Sequence, residues 1–324
     1  MILAGDIGGT KTHLALFEMT DELKLVASEK YVSHQYENLS KIVEIFLAAH
    51  RMAVKRACFG VAGPVQNGKC QATNLPWVID SRDLSRDLKT PNVWLINDLE
   101  SIGYGLLCLK PDELFTLNQG NPHAIGNAAL IAAGTGLGEA GLYWDGASHR
   151  PFACEGGHAD FGPRNELEID LLRYLRKKFD HVSYERLVSG PGIYNIYRFL
   201  VDSGLEEEPA WLREKFVKED PPKVITEVGL NKQCRTCERA LEWFISIYGS
   251  EAGNLALKLF SVGGVYIGGG IAPKILKAMQ STTFVSAFID KGRFASFLSK
   301  IPVKIVLNDN AGLLGAAKYA QLHR

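Results

Sequence analysis

The sequence predicts an α/β protein built on mixed sheets, and two observations carry that reading. Residues 1–62 read as three strands, one amphipathic helix and a further strand, which a purely alternating βαβ chain would not produce. A strand, a glycine/threonine turn and a second strand also occur twice, around DIGGTKT (6–12) and around GTGLGEAGLYW (134–144). Two such turns suggest a duplicated architecture that grips one ligand from both sides.

In chain order, the apolar runs Met1 to Ala4 and His13 to Phe17 flank the first turn. Asp6 closes the first run, Gly8 and Gly9 make the turn, and Thr10 opens the second run. Adjacent glycines let backbone N–H groups point into a concavity that can hold an anion. Asp6 would reach a phosphate only through a divalent cation, directly or through its water shell. The segment is therefore a candidate nucleotide-phosphate site, with an ordinary glycine hairpin as the alternative. Residues 23–32 read as a third strand. Glu37 to His50 has helical spacing, with Leu39, Ile42, Val43, Phe46 and Leu47 on one face, and Lys55 to Ala62 returns as a strand.

GPVQNGKC (63–70) nearly matches the P-loop pattern. Its last position is Cys70, which lacks the hydroxyl that would bind magnesium, and no amphipathic helix follows. Asn67-Gly68 is better read as a hairpin turn. SRDLSRDL, from Ser81, reads as a short helix with its cap at the start. Asn92 to Ile96 is a buried-type strand ending in Asn97-Asp98, before a helix from about Leu99 to Leu107. A carboxylate at the carboxyl end of a strand lies where α/β folds place ligands. On position alone, Asp98 is better read as a helix cap.

Ala128 to Ala133 is an apolar strand, and the glycines after it lie between two strands rather than before a helix. CEGGHADFGP (154–163) follows; Glu155 and His158 suit hydrogen bonding to vicinal hydroxyls better than a metal, because no second His or Cys stands at ligand spacing. CRTC (234–237) supplies only half the usual zinc ligand set. Asn165 to Lys178 reads as a helix with Leu167, Leu171, Leu172 and Leu175 on one side. Glu185 lies in a polar, Gly/Pro-punctuated stretch, with a solvated helix position as its plain alternative. Residues 203–222 read as a charged surface excursion, and Cys237 to Leu259 as the longest helix. Ser261 to Ile267 is a strand, closed by GGGIAPKIL (268–276) with Pro273 in the first turn of a helix; its glycines would let adenine or ribose approach the backbone. Val303 to Leu307 is the last strand, and Asn310 to Leu322 a helix that packs through small residues.

Composition narrows the function. The chain has 324 residues, 46% hydrophobic and 22% charged, with formal net charge zero and no basic tract, which argues against a nucleic-acid or anionic-membrane surface. Six scattered cysteines read as reduced thiols of a cytoplasmic protein. Neither a signal peptide nor a membrane-spanning run is expected.

These motifs, in this order, resemble the bacterial-type glucokinases, in the superfamily of actin-like ATPase domains that includes hexokinases and other sugar kinases. DIGGTKT resembles the first phosphate motif, LIAAGTGLG the second, and VYIGGGIAPKIL the adenosine motif. LINDLE resembles the catalytic segment, EGGHADF and YERLVSG the sugar-binding segments, and DNAGLLGAA the closing helix. One departure separates the chain from the related ROK kinases and repressors: no cysteine lies between His158 and Cys234, where their zinc motif would stand. A repressor of that group would also begin with a helix-turn-helix rather than a strand.

The resemblance implies a two-domain, ribonuclease H-like fold with a cleft between the domains. The smaller would be residues 1–108 plus 304–324, the larger 109–303. It implies ATP-dependent phosphorylation of glucose at the 6-hydroxyl, with Mg2+, in a homodimer. Asp98 would be the base. Asn97, Glu155, His158 and Glu185 would hold the sugar hydroxyls. Gly8, Thr10, Thr135 and Gly136 would cradle phosphates, with Gly9, Lys11 and Gly134 in the same loops. Asp6 would position hydrated magnesium, and Gly269 and Gly270 would line the adenosine pocket. Two other classes stand against this reading: a nucleotide-gated switch of the actin kind, which needs no sugar-shaped polar cluster, and a sugar-sensing repressor. Within the kinases, N-acetylhexosamine, mannose or fructose could replace glucose.

Overall fold

A computed structural model describes residues 1–20 and 22–323; Asp21, and Arg324 at the end of the expected small domain, lie outside the described residues. Two compact units emerge. One comprises Met1–Glu113, His149–Ala153 and Asn308 to the C-terminus; the other comprises Leu114–Ser148 and Cys154–Leu307.

In the first unit, β1 (Ile2–Ile7) and β2 (Lys11–Glu18) form an antiparallel hairpin, and β3 (Lys24–Val32) extends it. Helix α1 (Leu39–His50), capped by Asn38, leads to β4 (Arg56–Val61), which runs parallel to β1. A small antiparallel sheet follows: β5 (Val65–Gln66), β6 (Lys69–Gln71) and β7 (Val78–Asp80). Asn67 and Gly68 turn its first hairpin with φ of 51° and 73°, the left-handed pair that such a turn needs, so no P-loop exists here. Helix α2 (Ser81–Leu88) is capped by Asp80, not Ser81: the Asp80 carboxylate accepts from the Arg82 amide at 2.9 Å. Strand β8 (Val93–Asn97) and helix α3 (Asp98–Leu106) complete this part, and the sheet order is β3-β2-β1-β4-β8.

Both faces of this sheet are covered, and alternation along β1 divides them. Leu3 and Ile7 join Phe46, Phe59 and Trp77 on one side; Ile2 and Ala4 join Tyr104, Leu313, Ala316 and Ala320 on the other. The second group includes the C-terminal helix, Ala311–Leu322.

In the second unit, β9 (Leu114–Asn118), β10 (Ala128–Ala133) and β11 (Leu137–Trp144) precede β12 (His149–Cys154), whose first five residues belong to the first unit. Strands β13 (Gly264–Gly268) and β14 (Val303–Val306) come late in the chain. β10 pairs antiparallel with β11 and parallel with β13, the pattern that β1 makes with β2 and β4. Strand β14, assigned by the sequence from residue 304 to the small domain, pairs instead with β13 and β9 and so belongs to the second unit.

Its helices are α4 (Glu166–Leu175), α5 (Gly190–Asp202), α6 (Ala210–Lys218), α7 (Pro221–Leu230) and the 25-residue α8 (Arg235–Leu259). Two local expectations are corrected and one is refined. On α4, Leu167 is exposed and Glu168 is buried, because Arg164 pairs with Glu168 and donates to it through both backbone and guanidinium. Residues 203–222 are the charged surface stretch expected, with Leu212 alone buried, and they are helical: they contain α6 and the start of α7, and their charges find partners, as Glu208 does with Arg198 and Arg213. Pro273 precedes the helix of the GGGIAPKIL segment, which spans only Leu276–Met279.

Candidate active site

In the first unit, the candidate residues lie at the carboxyl ends of β1 and β8. Asp6 is half-buried at the end of β1, and burial pushes its carboxyl up to about 6 against the opposing pull of Lys30. Gly312, in the first turn of the C-terminal helix, faces this carboxyl with room to spare: a Cβ there would make only ordinary contact, 3.5 Å from the Asp6 carboxylate. Neither Gly8 nor Gly9 takes a left-handed φ. The Gly8 amide is committed to the turn itself, donating to the Lys11 carbonyl at 2.9 Å. Gly9 is small for another reason: a Cβ there would lie 3.0 Å from Asn74. Thr10 and Lys11 are exposed. Sequence motifs missed Ser33, which is fully buried and donates to the Gly8 carbonyl at 2.9 Å while bonding Thr12 at 3.1 Å. Nothing in its local pattern marks it, since its partners lie across the sheet.

Asp98 is the first residue of α3, and Asn97 is the cap. The Asn97 side chain accepts from the Leu99 and Glu100 amides at 2.9 and 3.4 Å, and its Nδ2 donates to the Gly63 carbonyl at 3.2 Å. Asp98 also accepts from Leu99, at 3.0 Å. Cys70, the residue at the rejected P-loop's hydroxyl position, is buried, and burial together with the Asp98 charge pushes its thiol up. Helix α3 is seated by backbone contact with the C-terminal helix. Ser101 donates to the Gly312 carbonyl at 2.7 Å, and Gly105 and Gly315 leave no room for a Cβ.

In the second unit, three loops meet beside the ends of the parallel strands β10 and β13, where α/β folds place ligands. Gly269 has φ of 81°, and a Cβ there would lie 2.9 Å from the Ala133 nitrogen, so the adenosine-type loop rests on the start of the Gly134–Gly136 loop. Gly270 has open space around it. The Gly134 amide closes its own turn on the Gly136 carbonyl at 2.9 Å, and its carbonyl accepts from Gly190 at 2.9 Å. Thr135 is exposed. Glu185 lies on a short 3-10 turn, Tyr184–Arg186, and accepts from the Leu137 amide at 2.9 Å.

Glu155 and His158 are exposed at either end of another 3-10 turn, Gly156–His158. This turn and the Glu185 segment are joined by Tyr184 donating to Ala159 at 3.1 Å and Phe161 to Val182 at 3.0 Å. Gly156 and Gly157 are needed for contact rather than φ: Cβ atoms there would lie 2.8 Å from the Glu139 carboxyl carbon and 2.9 Å from the Leu137 carbonyl carbon. Glu155, His158, Glu185 and the Gly134–Gly136 loop are thus assembled by one unit; Asp6, the Gly8–Lys11 turn, Asn97 and Asp98 are assembled by the other. Among the described residues, no group of three or more His, Cys, Asp or Glu side chains could hold a metal. All six cysteines are free.

Comparison with known proteins gives one answer. A family model described as Glucokinase matches residues 3–323. A glucokinase of Nostoc punctiforme is 44% identical over 333 residues, covering 98% of each chain. A glucokinase of Cronobacter sakazakii is 37% identical, covering 98% of this chain and 96% of its own. The crystal structure of a glucokinase from an Antarctic psychrotroph, 29% identical, superposes with a TM-score of 0.87 over 99% of both chains. With the motifs, the paired hairpin sheets and these relatives in agreement, this chain belongs to the glucokinase family.

Proposed function

We propose that this protein phosphorylates glucose at its 6-hydroxyl with ATP, and that Asp98 is the base. As a glucokinase-family member the chain is an ATP-dependent glucose kinase. The observation that carries the role of Asp98 is the capping of α3 by Asn97, which makes a second cap unnecessary at the carboxyl end of β8. Asp98 takes the proton from the 6-hydroxyl as that oxygen attacks the γ-phosphorus; the new P–O bond forms as the bond to ADP breaks, and ADP leaves with the electron pair. Asn97, Glu155, His158 and the second oxygen of Glu185 hold the sugar. The Gly8–Lys11 and Gly134–Gly136 turns hold the phosphates, and Gly269 and Gly270 admit the adenosine. Free, largely buried thiols suit a cytoplasmic setting, and a homodimer comes with the family resemblance.

Asp6 fits a hydrated magnesium ion: it is an oxygen donor at a strand end, beside the one glycine of the C-terminal helix that leaves space next to it. Bound Mg2+ would neutralise charge on the phosphates. Because burial raises the Asp6 carboxyl to about 6, protons compete for it below that pH. The Mg2+ requirement should therefore rise, by up to about tenfold per pH unit below 6, and Asp6→Asn should lose that dependence. Titration of free Mg2+ at several pH values measures it; a flat requirement in the wild type would remove Asp6 from the metal's hydration shell.

Glu155→Gln should weaken glucose binding roughly 10- to 100-fold, the effect of losing a charge-assisted hydrogen bond, with a smaller change in turnover. ADP release with MgATP and glucose, mannose, fructose, N-acetylglucosamine or no sugar tests the activity itself. Preference for another hexose would move the substrate and keep the mechanism.

A further inference from the structure

Directly beneath the Glu155–His158 turn, two glutamates meet in the protein interior. Glu139, on β11, is 1% exposed, and Glu251, on α8, is fully buried. Their carboxyl groups are close enough to share a hydrogen bond, which two ionised carboxylates cannot do, since neither has a proton to donate. Their surroundings assign the proton. Glu251 receives donors: the Asn254 amide at 2.7 Å, the Lys258 ammonium at 3.5 Å and the Tyr184 hydroxyl. Glu139 receives none of these, and its Oε1 is buried with no hydrogen-bond partner among the described residues. An unpartnered oxygen is tolerable on a neutral carboxyl and costly on an ionised one.

We propose that Glu139 is a positioning residue for the sugar: a neutral carboxylic acid that donates its proton's hydrogen bond to Glu251 and forms the floor on which the Glu155–His158 turn sits. The seat is tight, since a Cβ on Gly156 would lie 2.8 Å from the Glu139 carboxyl carbon. This inference rests on the glucokinase reading of Glu155 and His158.

The charge count supports it. With one proton on the pair, the remaining carboxylate is matched by Lys258. Lys291 also attracts Glu251, although burial weakens its own hold on a proton. The other titratable groups facing Glu139 are Tyr248 and Cys154; burial holds both protonated, and a charge on Glu139 would only hold them more firmly so. Neither can supply a positive charge, and the Lys291 ammonium is engaged by the Ser250 hydroxyl at 3.0 Å. Burial and the neighbouring Glu251 together hold Glu139 far above the usual carboxylate range. When the pair does ionise at alkaline pH, an unmatched charge appears under the turn; the turn must lift to admit water, and Glu155 and His158 move with it.

Calorimetric glucose titrations from about pH 6 to about pH 9.5, on the wild type and Glu139→Gln, test this. The wild type should lose about tenfold in glucose affinity towards the alkaline end. Glu139→Gln, which stays neutral and can still donate to Glu251, should follow the wild type at pH 7 and change by less than about twofold above it. A second readout needs no sugar. Glu139 takes up a proton on folding that it lacks in the unfolded chain, so wild-type stability falls as pH rises from about 4.3 through the pair's own titration. The wild-type melting temperature should therefore fall relative to Glu139→Gln over that window. A level wild-type affinity, or an equal loss in Glu139→Gln, would overturn the proposal. If glucose-dependent ADP release at pH 7 is intact, that failure belongs to Glu139 alone; if the release is missing, the kinase reading fails and this inference with it.

Discussion

Asp98→Ala is expected to lower turnover by roughly 10²- to 10⁴-fold while glucose still binds. Proton removal from the attacking hydroxyl occurs in the transition state, so the loss falls on kcat rather than on affinity. The fold should tolerate the change. Helix α3 keeps its cap on Asn97, and the Leu99 amide that Asp98 also accepts from is already bonded to Asn97 at 2.9 Å. A stability cost of about 1 kcal/mol or less follows. Asp98→Asn is the stricter variant: it keeps the shape and the hydrogen bond to Leu99 and removes only the basicity. Both variants should be about equally slow, and glucose titration should show affinities close to wild type. Normal turnover in either would return Asp98 to a plain helix position.

The second large effect is expected from a residue that touches no substrate. Gly315→Ala places a methyl group against the backbone of α3, 2.6 Å from the Gly105 nitrogen and closer still to the Ser101 carbonyl. Backbone cannot turn aside as a side chain can, so the helices must separate. The cost should reach about 3 kcal/mol, the upper part of the range for overpacked sites, and lower the melting temperature on the order of 5–10 °C. Because α3 begins at Asp98, its displacement should also reduce turnover, on the order of 10²-fold for an ångström of misplacement. Ser101→Ala is the comparison: it loses one hydrogen bond to Gly312 but keeps the helix spacing, so it should cost only about 1 kcal/mol. Melting curves and kcat for the pair separate helix spacing from local bonding. Equal behaviour of the two variants would contradict the close-contact account.

Much of this was legible in the sequence because the signals are local. Hydrophobic alternation and runs marked β1, β2, β4, β10 and β13, and Asn67-Gly68 announced its hairpin through backbone chemistry alone. The small-residue pattern of the C-terminal helix also told truly, since Ala311 and Gly315 are where α3 comes closest. What stayed hidden depends on partners distant in the chain. Leu167 looked like core because it shares helical spacing with Leu171 and Leu175; that Glu168 takes the inward position instead, paired with Arg164, could not be seen from local pattern. The segment after residue 203 was rightly read as charged surface, but its helix α6 stayed hidden because Leu212 alone anchors it in the interior. The glycine turns lie where the sequence puts them, but backbone freedom is not what several of these glycines supply. Gly9, Gly136, Gly156 and Gly157 are small because something packs against them, not because their φ demands glycine, and only the three-dimensional fold shows what that something is. Glu139 is the sharpest case. It stands inside a glycine motif, where nothing distinguishes it until Glu251, on a helix far along the chain, is found against it.

The most direct measurement is of product and stoichiometry together. Wild-type protein is incubated with MgATP and glucose, and glucose 6-phosphate and ADP are quantified in the same reaction. The account predicts one glucose 6-phosphate for each ADP and little ADP without sugar. ADP release that proceeds equally without glucose, or without glucose 6-phosphate appearing, would contradict it and leave a nucleotide-gated ATPase as the better description.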